Sequence, residues 1–454
     1  MKKRMCKIMA LAMTAAMVVP MAAQTTAFAA DDKEITYWNI AVESPDKDIV
    51  TAAVDKFNKE TKSGYTVNQV AIQNDTYKEK LVIAMSSGEC PDMYSSWSGG
   101  PMYEYIDSGF AQPIDDLLDQ SDIKDKLLDA AIEQGSYKGH VYAIPYMNVV
   151  LAGIFYNKDM FKQYGLEEPK TLADLENICA TLKENGITPF ALANASKWTG
   201  SMYFMSLAAR YGGLEPFQNA VAGTGKFTDD CFIKAGEKIQ EWVKNGYFPD
   251  GVNSLSEDDG QAKQLMYQET AGMLLCGSWY TGTFQTDSEE FYQKIGWFPF
   301  PAIDDSDADP TIQIGTVGDQ FISFNCEGDK LAAAFECAAD HLSDEVEDMI
   351  YSTGKIAPVK DAGDHIKDPV VKEIFDAAQE ASSIQLWYDQ YLPTSVASAH
   401  LDGLQEVFGL TKTPQEAQEE MQKAMDEYLS TKSDSGAADD TAEEATDAAA
   451  DDAE

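Results

Sequence analysis

Residues 137–190 read YKGHVYAIPYMNVVLAGIFYNKDMFKQYGLEEPKTLADLENICATLKENGITPF, and this stretch decides the fold. A β-rich run from Val141 to Tyr156 feeds a corner, Tyr156-Asn157-Lys158-Asp159, then a short helix at Phe161–Tyr164 and the triplet Pro169-Lys170-Thr171. Thr171 and Asp174 stand at the spacing of a capping pair. A helix should open there, with Leu172, Leu175, Ile178 and Leu182 along one face.

Upstream, Ile35–Ile40 reads as a strand, and Ser44-Pro45 as an N-cap with a first-turn proline. The helix that follows gathers Ile49, Val50, Ala53, Val54 and Phe57 on its apolar face. Tyr65–Ile72 is a second strand, the helix around Tyr77–Met85 stops at Ser87-Gly88, and Met93–Trp97 is a third short strand. Strands alternating with helices imply right-handed crossovers and a parallel sheet. Ligands of such sheets sit beyond the carboxyl ends of the strands, which puts the loops Asn39–Ser44, Gln73–Tyr77 and Trp97–Gly100 on one rim.

Downstream, residues 148–299 are mainly helical, with breaks at Gly212-Gly213, Gly223-Thr224-Gly225 and Asn245-Gly246. Ile295–Pro301 is a strand with proline exits, Asp304–Pro310 an acidic loop, Gly315–Asn325 a strand pair and Leu331–Leu342 a helix. Leu386–Leu392 leads into the last helices, and Thr413-Pro414-Gln415-Glu416 is a capping box for a helix through Met421, Met425 and Tyr428. From Ser433 the chain holds only small polar residues, alanine and nine acids, too little apolar surface to offset ordering, so 433–454 is expected to be a disordered acidic tail.

Residues 1–29 read as a secretory signal. Lys2, Lys3, Arg4 and Lys7 form its basic end, Ile8–Val19 its apolar run, and Ala27-Phe28-Ala29 its small-x-small cleavage site. The run is too short and alanine-rich for a permanent span, although a signal anchor is the alternative, and no other segment approaches eighteen apolar residues. The expectation is an exported, soluble protein, outside the cell, in its envelope or in a periplasm. About 425 residues would remain, beyond what one hydrophobic core serves, so two lobes are expected. The net charge of −42 becomes about −46 without the four basic residues of the leader. Such a field repels nucleic acid and anionic lipid and favours a soluble monomer. Of seven cysteines, Cys90, Cys179, Cys231, Cys276, Cys326 and Cys337 lie beyond the leader. Their even count permits disulfides, but none has a metal-like spacing, and dispersed buried thiols are the favoured reading.

Enzyme and cofactor motifs fail on inspection. His140, His341, His365 and His400 are scattered, with no HExxH and no G-x-S-x-G elbow. Gly223-Thr224-Gly225-Lys226 imitates the end of a phosphate loop, but Ala220 replaces the first glycine and Phe227 the required hydroxyl. Asp305-x-Asp307-x-Asp309 imitates a calcium loop, with Pro310 where glycine must turn and Thr316 where a bidentate glutamate belongs. A secreted glycoside-active enzyme needs only two well-spaced carboxylates, yet nothing picks a pair from 76 acids. No cofactor and no metal is expected.

Four segments complete a pattern. Met85-Ser86-Ser87-Gly88-Glu89-Cys90-Pro91-Asp92-Met93 is a "small-Gly-x-x-Pro-Asp" approach to a third strand, with Trp97 after it, and Ala271–Trp279 follows an "Ala-Met…Gly-x-Trp" pattern. Ile295–Pro301 supplies a return strand, and Ile356-Ala357-Pro358-Val359 a third crossing. Together with the opening stretch, which resembles their first crossover between lobes, these resemble the extracellular solute-binding proteins of ABC importers, family 1, the sugar-binding type, over nearly all of residues 33–430. The resemblance implies a two-lobed α/β periplasmic-binding-protein-like fold, each lobe a mostly parallel sheet flanked by helices, with the ligand cleft between lobes. Lobe 1 would take residues 30–147 and 300–357, lobe 2 residues 148–299 and 358–432, with closure about Met147, Phe300 and Ala357. The implied function is to bind a carbohydrate, an oligosaccharide, and deliver it to membrane permease subunits. Relatives in single-membrane bacteria carry a lipidated cysteine at the cleavage site, whereas Cys6 precedes the apolar run and cannot serve.

By position in this pattern, Trp97 and Trp279 are stacking candidates, Trp198 is a second-lobe aromatic, and Asp389 is a polar contact. Trp38, Trp387, Asn39, Glu43, Asn74 and Asp319 are further candidates, while Trp242 and Trp297 read as packing residues. The chemistry suits a pyranose: flat aromatics cover its C–H faces, and carboxylates or amides take its hydroxyls. The competing reading is the same fold around a polyamine, peptide or organic acid.

Overall fold

The computed structural model describes residues 33–447, so the leader and the last residues of the tail lie outside it. Its principal strands are β1 (Glu34–Asn39), β2 (Thr66–Ala71), β3 (Met93–Ser96), β4 (Ala143–Pro145), β5 (Val150–Asn157), β6 (Thr188–Phe190), β7 (Ala271–Gly277), β8 (Ile295–Pro299), β9 (Gln313–Thr316), β10 (Phe321–Phe324) and β11 (Ile384–Gln385). They form two sheets, each flanked by helices. The first is ordered β2-β1-β3-β10-β4, and the second β11-β9-β5-β7-β6, with β8 also paired to β5.

Both sheets are mixed rather than mostly parallel. β1 runs parallel to β2 and β3, as the alternating pattern predicts, but β10 is antiparallel to β3 and β4. In the second sheet β5 is antiparallel to β7, β8 and β9, while β6–β7 and β9–β11 are parallel. The reason is topological. A strand that enters a sheet from the other lobe need not share the direction set by local βα units.

The chain leaves the second sheet later than expected. β9 still pairs with β5 through Thr316, and the Phe300 carbonyl accepts Nε (3.2 Å) and Nη2 (2.9 Å) of Arg210, on the second-lobe helix Trp198–Gly212. The crossing therefore lies between Thr316 and Phe321, not at Phe300. There three segments run side by side: the Tyr146 amide donates to the Gln320 carbonyl (3.1 Å), the Asp319 amide to Asn148 (2.8 Å), and the Val149 amide to Ile356 (2.8 Å). Val359 still bridges to Leu127 in the first lobe, so the last crossing falls beyond Ala357.

Local signals behave as their chemistry dictates. Thr171 and Asp174 form a reciprocal capping box on the helix Leu172–Glu184, and Thr413 and Glu416 do the same on Pro414–Asp447. Gly88 ends the helix Asn74–Ser87 at φ 75°. Ser44 does not cap: the first helix runs Asp46–Glu60 with Pro45 at the N-cap and no side-chain cap bond. The terminal helix continues through Asp447, into the segment expected to be disordered. Its alanines and glutamates are strong helix formers, and a packed helix that buries Ala417, Met421 and Met425 already supplies the nucleus. No helix among the described residues is long and apolar enough to cross a membrane. The six described cysteines are free thiols, five buried and Cys90 partly so.

Candidate binding site

Between the lobes lies a cavity of about 220 Å³ that opens to solvent. Its first-lobe wall comes from the carboxyl ends of the parallel strands: Ile40 after β1, Asn74 after β2, Trp97 after β3. Lys78, one turn beyond Asn74 on the same helix face, joins them. Its ammonium lies 5.0 Å from the Trp97 ring centroid and 3.7 Å from Asp389 of the second lobe. Trp97 meets Tyr77 edge-on at 6.0 Å.

The second-lobe wall is aromatic. Trp279 stands at its centre, edge-on to Trp198 (5.9 Å, 62°) and to Trp387 (6.1 Å, 68°). Its ring lies over Gly277, where a Cβ would fall 2.0 Å from it. Trp279 also borders two outer hollows that extend the cleft toward Glu43 and Lys263. Met202 and Met205 follow Trp198 at helical spacing and line the same wall.

Carboxylates surround the space. Burial pushes Asp319 up to about 7, with the Asp46 charge adding and Lys355 opposing. Burial likewise pushes Glu257 up to about 7, against a hydrogen bond donated by the Tyr280 hydroxyl. Burial raises Asp258, with Asp75 adding, and raises Asp389 against the pull of Lys78. Asp46 forms an ion pair with Lys355, whose side chain is only 2% exposed.

Seven of the ten residues singled out from the sequence meet here: Trp97, Trp198, Trp279, Trp387, Asn74, Asp319 and Asp389. Three do not line this cavity. Trp38 points to the other face of β1 and packs with Tyr77 and Tyr94 beneath the rim, because successive strand residues alternate faces. Asn39 is buried, and its Oδ1 accepts the Ala41 amide (3.0 Å), shaping the loop. Glu43 is exposed on the outer hollows, 3.8 Å from Lys263. Trp242 and Trp297 are buried packing residues. Glu257, Asp258, Lys78 and the two methionines escaped the sequence reading. For Lys78 the signal was its i,i+4 spacing from Asn74, and for Met202 and Met205 their i+4 and i+7 spacing from Trp198.

The lobes touch across the cleft. Asp258 Oδ2 accepts the Asp75 amide (3.1 Å), and Trp198 Nε1 donates to Asp75 Oδ1 (3.4 Å). At Gly99 and Gly100 the backbone of residues 390–392 comes so close that a Cβ at either would lie 2.2 Å from a carbonyl oxygen, of Gln390 or Leu392. No cluster of metal-ligating side chains occurs among the described residues.

Residues 41–339 match the family described as bacterial extracellular solute-binding protein. An uncharacterised ABC transporter extracellular-binding protein of Pyrococcus horikoshii is 31% identical over 228 residues, 50% of either chain. The maltotriose-binding protein of Pyrococcus abyssi is 28% identical over 235 residues, 51% of this chain and 46% of its own. The chain thus spans about half the length of the curated relatives it matches. A solved structure from work on xylan utilisation by the thermophilic bacterium Caldanaerobius polysaccharolyticus is 29% identical, covers 86% of this chain and 99% of its own, and has a TM-score of 0.79.

Proposed function

Since this chain belongs to the bacterial extracellular solute-binding protein family, whose members bind rather than transform their ligands, we propose that it captures a carbohydrate between its lobes and delivers it to the permease of an ABC importer. The observation that carries this reading is the set of tryptophans facing one cavity from both sides, Trp97 on the first wall and Trp198, Trp279 and Trp387 on the second. Aromatic planes suit the C–H faces of pyranose rings, and the amide and carboxylate groups between them suit hydroxyls. A cavity with several aromatic planes and connected outer hollows fits an oligosaccharide. The sugar-binding name of the Pyrococcus abyssi relative supports the same class. Export by the leader and a monomeric working state belong to the proposal.

A thermal-shift screen over mono- and oligosaccharides, polyamines, peptides and organic acids tests it, because a ligand that binds only the folded chain raises its Tm. Stabilisation by one or more sugars is the expected result. Stabilisation by polyamines or peptides with none by any sugar would sink the proposal.

A further inference from the structure

Charge around the cavity does not balance. Asp389 has Lys78 and Asp46 has Lys355, but Glu257, Asp258 and Asp319 border the same space without a cation of their own. Glu257 is held by the Tyr280 hydroxyl and Asp258 by the Asp75 amide, both neutral groups, and the Asp75 carboxylate adds to the negative field there. Lys263, the nearest lysine on the outer hollow, is held by Asp287 at 2.9 Å.

A neutral sugar uses carboxylates as acceptors for its hydroxyls, so a carboxylate alone is no sign of a charged guest. Closing the lobes over a neutral guest, however, would strip water from three carboxylates that have only more distant lysines and no ion-pair partner, which is costly unless each takes up a proton. A cation on the guest removes that cost. The cavity already shows how it accommodates one: the Lys78 ammonium rests between the Trp97 ring and the Asp389 carboxylate. The opposite wall sets Trp279 on the same hollow as Glu257 and Asp258, and because Lys263, which also lines that hollow, is paired with Asp287, the place of an ammonium against them falls to the ligand.

Resting on the carbohydrate reading above, we infer that the ligand is an amino sugar, a carbohydrate bearing a protonated amine, with Glu257 and Asp258 beside Trp279 receiving the ammonium group. The remaining tryptophans cover the ring faces, and Asp319 lines the same cavity as a further polar partner.

Calorimetric titration of the full chain near neutral pH and low salt, with matched pairs, tests this. The pairs are glucosamine and glucose, galactosamine and galactose, and the β-1,4-linked dimers of glucosamine and of glucose, with spermidine as a cation that is not a sugar. At least one aminated sugar should bind about tenfold or more tighter than its neutral partner, and Glu257→Gln or Asp258→Asn should bring that ratio toward one. The wild-type ratio decides the matter even if a variant fails to fold. Neutral sugars binding as well as their aminated partners would overturn the inference and leave the carbohydrate reading standing. Spermidine binding with no sugar of either kind would overturn both, and so would a panel in which nothing binds.

Discussion

The two walls of the cavity are built by opposite means. The first takes Ile40, Asn74 and Trp97 from successive strand ends of one local βαβ pattern, and each side chain arrives by its own loop. The second draws Trp198, Glu257, Trp279 and Trp387 from four distant stretches of chain and holds its tryptophans by mutual edge contact. A wall of independent loops lets each residue be lost separately. A wall of interlocked rings acts as one surface, so damage at its centre spreads.

That contrast can be broken by substitution. Trp279→Ala removes the ring that orients both neighbours and should cost about 2–3 kcal/mol of binding, whereas Trp97→Ala should cost about 1–2 kcal/mol. Titration calorimetry on the best sugar from the screen compares them, and an equal or larger loss at Trp97 would reverse the ranking of the walls. Next in size is Gly100→Ala, which sets a Cβ against the Leu392 carbonyl where the lobes meet. We expect about a tenfold loss of affinity, since closure contributes contacts that the open form lacks. Small-angle scattering should show ligand-induced compaction in the wild type and little in this variant. Compaction of both alike would show that this approach is not part of closure.

A smaller effect concerns protons. Glu257 and Asp319 have ordinary values of 4.5 and 3.8 and are held near 7 in the folded protein. Their folded values are raised, so the stability they confer is fully present below the unfolded values and is lost as pH rises through about 7. The ligand-free Glu257→Gln/Asp319→Asn protein should therefore gain Tm relative to wild type between about pH 4 and about pH 8. A difference in Tm that stays flat over this range would show that neither group is held protonated. The smallest expected effect is none: deleting the residues after Lys432 should leave sugar affinity and Tm unchanged, because Ala417, Met421 and Met425, the buried apolar residues described for the last helix, all precede that point. A tenfold loss of affinity would show that the tail reaches the cleft.

The same contrast explains what was legible beforehand. The first wall follows from rules of sequence order, since a strand, its exit loop and the next helix are neighbours in the chain, and Trp97 could be placed from Met93–Trp97 alone. Trp279 was flagged by the Gly-Ser-Trp run, and its ring does lie on Gly277. Glu257 and Asp258 sit in Ser-Glu-Asp-Asp-Gly, which in a chain this acidic looks like any solvated turn. Only the packing of the second lobe brings that turn to the cleft. Trp38 failed for the opposite reason: its loop was right, but strand alternation turned its ring away. The crossing at 317–320 was missed because Ile295–Pro301 has the stronger strand and proline signals, and nothing local shows that Gln313–Thr316 pairs again with the second sheet.

The six unpaired thiols carry a consequence for how long such a chain survives. Burial pushes Cys90 and Cys326 up to about 12 and Cys231 up to about 11, and it raises Cys179, Cys276 and Cys337 as well, so little thiolate forms while the fold is intact. No crosslink among the described residues restrains the unfolded chain, and packing keeps their sulfurs apart. In an oxidising compartment, a molecule that opens fully would expose all six at once, and any mispairing formed before it refolds would trap it outside the native fold. Its working lifetime there would be set by how often it unfolds completely.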